Sequence, residues 1–211
     1  MAYLSCMSST TSTTTHVPDA PASGADAAAL RARYEAAPTL EAFLPTAVKN
    51  ADLWKTAARL AKVPDEAVAR VAALPGRYHL LVLSEDWCGD AVNSVPVIAR
   101  LAEQAPNLDL RVLARDENLD LMDAHLTNGA RSIPAVIVYD EEFRELAWWG
   151  PRPAELQAWV LGPGQALEKE ARYKEVRTWY ARDRGRAILA EVTGLLEQVA
   201  GRGGEGASAA G

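Results

Sequence analysis

The run His79-Leu80-Leu81-Val82-Leu83 passes directly into Ser84-Glu85-Asp86-Trp87-Cys88-Gly89-Asp90-Ala91. Beyond it, apolar residues recur at Val92, Val95, Ile98 and Leu101. The first run is short, continuously apolar and bounded by polar residues, which reads as a buried strand over about Tyr78 to Leu83. The second has the helical period and reads as a helix to about Gln104, with Pro96 inside it. An internal proline removes a backbone hydrogen bond and kinks such a helix. A thiol at this strand-to-helix switch lies where unpaired N–H groups gather partial positive charge, and that charge favours thiolate, the reactive form.

The downstream pattern extends this unit. Leu108, Leu110 and Val112 alternate like a strand over Leu108 to Ala114. A short helix around Leu119 to Leu126 is expected to end at the C-cap pair Asn128-Gly129. Two further strands, Ala135 to Tyr139 and Glu145 to Trp149, flank a hairpin turn at Asp140-Glu141-Glu142. Strand, helix and strand in this order require a parallel pair and a right-handed crossover, and the hairpin adds antiparallel strands. The fold class is therefore α/β: a mixed central sheet of about four strands between two helical layers. Residues 25–76 read as N-terminal helices, with apolar stripes at Leu40, Phe43, Leu44, Ala47 and Val48 and at Leu53, Trp54, Ala57, Leu60 and Ala61. Residues 165–199 read as one long C-terminal helix. The expected domain is 25–200, with the α/β core at 77–161 and disordered tails at 1–24 and 201–211.

Composition limits the function. The chain has 211 residues and a formal net charge of −6, which disfavours nucleic acid and anionic membrane as partners. No apolar run approaches the roughly 20 residues that span a bilayer. Two cysteines, Cys6 and Cys88, exclude a disulfide scaffold and make a reducing cytoplasm the expected location. Met7 is an alternative start, which would remove Cys6. His125 has no Cys or His at ligand spacing, so neither a metal nor another cofactor is expected.

Trp87-Cys88-Gly89 at the first strand-to-helix turn resembles the thioredoxin superfamily. Pro96 stands eight residues after Cys88, and Asp116, Glu117 and Asn118 follow the second strand, as in that superfamily. Gly129-Ala130-Arg131-Ser132-Ile133-Pro134 resembles its cis-proline loop, and Gly150 follows Pro134 by sixteen residues. The resemblance covers Tyr78 to Leu161. The runs SEDWCGDA, RDENLDLMD and WGPRP are similar to a bacterial group whose helical N-terminal region replaces the usual first strand and helix. The resemblance implies a three-layer fold, a nucleophilic Cys88 facing a cis Pro134, and a backbone at Ile133 free to pair with an extended peptide.

Two departures from the superfamily pattern bear on chemistry. Ala91 occupies the place of the second thiol, and Val82 the place of the buried acid on the first strand. A self-contained dithiol cycle cannot run, because nothing three residues away can release a mixed disulfide. Two readings of Cys88 remain, a reactive thiol and a small buried residue filling the turn. The acids Glu85, Asp86 and Asp90 oppose thiolate, and the helix terminus favours it. Asp90 either complements the helix dipole or relays a proton to Cys88. Trp87, Gly89, Ile133, Pro134, Trp149 and Gly150 complete the expected binding site. Adjacent Trp148 and Trp149 face opposite sides of a strand, so one can be core and the other surface. Tyr173, Val176, Trp179 and Tyr180 form a helical stripe suited to core packing or to a homodimer contact.

Three functions follow. The principal one is single-thiol redox chemistry with a protein or low-molecular-weight thiol or disulfide, resolved by an external thiol. The second is an adapter that binds extended peptides beside the proline loop without electron transfer. The third is a thiol-ligated iron–sulfur carrier, but the Gly-Gly-Asp signature expected after the hairpin is replaced by Trp149-Gly150-Pro151.

Overall fold

The computed structural model describes residues 14–17 and 27–208. Cys6 and most of the expected tail 1–24 lie outside these residues. The elements in chain order are β1 (Thr15–His16), α1 (Ala27–Ala36), α2 (Leu40–Phe43), α3 (Ala51–Leu60), α4 (Asp65–Ala72), β2 (Tyr78–Ser84) and α5 (Gly89–Gln104). They continue with β3 (Leu108–Ala114), α6 (Leu119–Ala124), β4 (Ala135–Tyr139), β5 (Glu145–Trp149), α7 (Ala154–Leu161), α8 (Lys169–Asp183) and α9 (Arg186–Ser208).

The sheet order is β1-β5-β4-β2-β3. The β2–β3 pair is parallel, with Leu80 opposite Leu110 and Val82 opposite Val112. The other pairs are antiparallel. Side chains alternate across a pleated sheet, so the register sorts them into rows. Leu81, Ile137 and Trp148 form one row and Val82, Val136 and Trp149 the next. The second row faces α9, because Trp149 Nε1 donates to Glu191 Oε2 at 2.7 Å. The first faces the α1 side, where Tyr34 packs edge-on against His79 and Phe143. β2 is buried along nearly its whole length, which accounts for its unbroken apolar sequence. A three-layer α/β/α fold results, with helical extensions at both ends.

The extensions join the same core. Trp54 of α3, Val71 of α4 and Ile188 and Leu196 of α9 are buried with the sheet residues. Short helices of this kind have little stability alone and gain it by burying an apolar face.

Several details differ from the sequence expectations. The sheet has five strands, because Thr15–His16 pairs with β5 although it was expected within an irregular tail. Two residues carry too weak a pattern to signal a strand. Glu191 holds this segment by accepting from Thr14 Oγ1 at 3.0 Å, and His16 stacks on Trp148 at 3.9 Å between ring centroids. That stacking buries Trp148 as well as Trp149, so neither is a surface residue. The long C-terminal helix is two helices, broken at Arg184 and Gly185, both with positive φ. At Gly185 a Cβ would stand 3.0 Å from both methyl groups of Val97, so the turn needs glycine to approach α5. α9 runs on to Ser208, past the expected start of the C-terminal tail at Gly201. Asn128-Gly129 is a tight turn inside the Thr127–Ala130 bridge, while α6 ends earlier, at His125. No described helix is long and apolar enough to cross a membrane.

Candidate functional site

β2, β4 and β5 bring three connections to one end of the sheet. Ser84 leads to Cys88, Ala135 follows Pro134, and Trp149 precedes Gly150. Cys88 is the N-cap of α5, with extended backbone angles. The Ile133–Pro134 peptide bond is cis, as is Gly150–Pro151. The Cys88 thiol donates to the Ile133 carbonyl oxygen, with Sγ 3.3 Å away. Sequence reasoning left the Ile133 backbone open for a peptide, whereas here its carbonyl is taken by the thiol.

Cys88 is 7% exposed. Burial first, and the Asp90 carboxylate second, push its thiol up to about 11. The N–H groups of Ala91 and Asp90 and the Arg152 charge act in the opposite sense and do not win. The charge at the helix start therefore fails to make Cys88 a resting thiolate. Ala91, in the second-thiol position, is fully buried.

Asp90 does more than complement a helix dipole. One carboxylate oxygen pairs with Arg152 Nη2 at 2.5 Å and the other accepts from the Tyr180 hydroxyl at 2.9 Å. Arg152 also donates through Nη1 to Gln157 Oε1 at 2.6 Å. Burial foremost, and the Asp90 carboxylate next, raise Tyr180 well above its ordinary value, so it stays a hydroxyl donor. Arg152 lies in the WGPRP run and Tyr180 in the aromatic stripe, but no local pattern joins them. Their meeting depends on how α7 and α8 fold over α5.

The other expected site residues divide. Trp87 is 43% exposed at the rim, with the Arg115 guanidinium 5.1 Å from its ring centroid. Gly89 opens α5, and a Cβ there would meet nothing within 4 Å. Ile133 is buried. Gly150 has φ +144°, and a Cβ there would lie 2.1 Å from the Pro134 carbonyl oxygen. Its N–H donates to the Thr14 carbonyl at 2.9 Å. Trp149 was expected at the binding surface but is fully buried and bonded to Glu191, which makes it a core residue.

The acids before Cys88 are structural ties rather than a repulsive cluster. Asp86 Oδ2 accepts from the backbone N–H groups of Val48 and Lys49, each at 2.8 Å, and its carbonyl accepts from Trp54 Nε1 at 2.9 Å. Glu85 accepts from the Asp116 N–H at 2.8 Å. These bonds anchor the thiol turn to the N-terminal helices and to the segment after β3. His125 is buried and bonds Leu121 O and Glu145, as a satisfied core histidine does.

A mixed sheet with a thiol at the first buried strand-to-helix turn, against a proline loop, defines a thioredoxin-like protein. The chain belongs to the thioredoxin family, whose model matches residues 37–175. A protein of unknown function from Pseudomonas aeruginosa has a similar structure, with 24% identity and a TM-score of 0.61 over 78% of this chain and 95% of that one. An HIV epitope scaffold matches with 20% identity and a TM-score of 0.62, over 80% of this chain and 97% of its own. Both are likenesses of fold. No curated protein matches the chain.

Proposed function

We propose that this protein carries out single-thiol redox chemistry at Cys88. The observation that carries the reading is the placement of Cys88 at the α5 N-cap, its sulfur 3.3 Å from the Ile133 carbonyl, with alanine where a second thiol would stand. Deprotonated Cys88 attacks a disulfide. A Cys88–substrate disulfide forms, the substrate disulfide breaks, and the leaving sulfur departs with the electron pair and takes a proton. A thiol from solution then attacks the mixed disulfide, regenerating Cys88 and carrying away the other half as a new disulfide. The need for an external thiol suits a reducing cytoplasm. The exposed Trp87 offers an apolar rim for a substrate.

Intact-mass analysis after exposure to glutathione disulfide tests this in a Cys6→Ser background. A mixed disulfide that forms on Cys88 and is removed by reduced glutathione is the expected result. Its absence across pH 7 to 10 would sink the redox reading. The adapter reading draws on a different observation, the burial of Cys88, which disfavours its thiolate. It requires peptide binding that persists in Cys88→Ser.

A further inference from the structure

Away from the thiol, α3 and α4 on one side and the end of α8 with α9 on the other leave a groove of about 980 Å³, floored by Pro96 and Val97 of α5. That volume is at the upper end of small-molecule sites, about 300–1,000 Å³. Small apolar side chains keep the walls apart: Ala57, Ala61 and Ala67 on one, Leu189 and Ala190 on the other. Tyr180 also lines the groove, but its hydroxyl is spent on Asp90. Gly185 lets the α8–α9 turn approach α5, and the Arg70–Glu197 ion pair, at 2.7 Å, ties α4 to α9.

Cations gather at this apolar groove. The chain carries a net −6, yet the charged residues that line the groove are Lys62, Arg70, Arg184 and Arg186 against Glu66 alone. Arg70 is taken by Glu197, and Glu66 lies one turn before Arg70 on α4, where the two attract. Arg186 donates to the carbonyls of Asp183 and Arg182. The carboxylate of Asp183, beside Arg184, accepts from the Ala187 N–H. Lys62 and Arg184 are exposed, and neither side chain has a hydrogen-bonded or ionic partner among the described residues.

We propose that this groove binds a single-chain amphiphilic anion, the carboxylate of a fatty acyl chain, with the chain between the alanine-rich walls and the head group on Lys62 and Arg184. Two free cations beside an apolar groove complement a ligand that is apolar along its length and anionic at one end. The head group stays at the exposed rim, so its charge is not taken out of water. The chain gains the free energy of apolar burial. A neutral chain would leave both cations unused, and a short acid would leave the walls in water. The site does not depend on the chemistry of Cys88.

Isothermal titration calorimetry on the full chain, with octanoate, decanoate and dodecanoate below their micelle concentrations, tests the site. One bound acid per chain is expected, with affinity rising roughly tenfold for each two carbons added and falling as salt is raised. Lys62→Ala with Arg184→Ala should weaken decanoate by about fivefold and leave 1-decanol unchanged. Ala67→Phe fills the groove from the α4 wall and should abolish binding of both. Ala190→Phe does the same from the α9 wall and serves where Ala67→Phe does not fold. The proposal is overturned if none of the acids binds, if all three bind equally, if the wall variants bind as the parent does, or if the double alanine variant holds decanoate as tightly as the parent. Sedimentation velocity reads the competing occupant. A parent dimer that Ala190→Phe dissociates would place a second copy of the chain in the groove and would also overturn the proposal.

Discussion

Two glycines flank the thiol site and should respond to alanine with opposite signs. Gly150 has φ +144°, a region nearly closed to L side chains, and its Cβ would lie 2.1 Å from the Pro134 carbonyl oxygen. Relief requires a shift of about 1 Å in one of two connections that both end on buried strands. The backbone conformation costs about 1–3 kcal/mol. The forced packing costs a similar amount. Gly150→Ala should therefore destabilise by about 2–6 kcal/mol, a large fraction of an ordinary stability of about 5–15 kcal/mol. With a urea m-value of roughly 2 kcal/mol/M, the unfolding midpoint should fall by about 2 M. Gly89 is the internal control. Its Cβ would enter open space at the first turn of α5, so Gly89→Ala should be neutral or stabilise by up to about 1 kcal/mol. Equilibrium urea unfolding, followed by tryptophan fluorescence, measures both. Equal effects of the two substitutions, or a Gly150→Ala loss below about 1 kcal/mol, would refute the argument that the close approach to Pro134 requires glycine at position 150.

The Cys88 thiol, pushed up to about 11, binds its proton more tightly folded than unfolded. Stability from this group is present below its ordinary value of 9.0 and is lost as pH rises to about 11, by an amount on the order of 2–3 kcal/mol. Denaturation at pH 8 and pH 11 should show a steeper loss in wild type than in Cys88→Ser. Ala91→Cys places a second sulfur three residues on, within one helical turn, and should create dithiol activity that wild type lacks; insulin reduction with a recycling reductase measures it. Glu191 accepts from Thr14 Oγ1, Trp149 Nε1 and the Ala154 N–H, so Glu191→Ala leaves three donors without a partner. It should cost about 3 kcal/mol and speed hydrogen exchange at the Gly150 N–H, which rests on Thr14.

The fold was legible because its signals are local. The unbroken apolar run of β2, the helical period after Cys88 and the hairpin at Asp140 each follow from neighbours in sequence, and their order leaves few ways to form a sheet. The thiol turn and the proline loop were legible by another route, the resemblance of Trp87-Cys88-Gly89 and of Gly129 to Pro134 to the thioredoxin superfamily, since no local signal in the Ile133-Pro134 pair marks it. What the sequence could not show depends on long-range approach. Asp90 meets Arg152 and Tyr180 across 62 and 90 residues, and Glu191 reaches Thr14 across 177. The resting state of Cys88 is decided there too. The charge at a helix start can be read from a strand-to-helix switch, but desolvation depends on how much protein covers the sulfur. The tertiary approach that puts the Ile133 carbonyl 3.3 Å from the sulfur and leaves Cys88 7% exposed decides it, and burial outweighs the helix terminus.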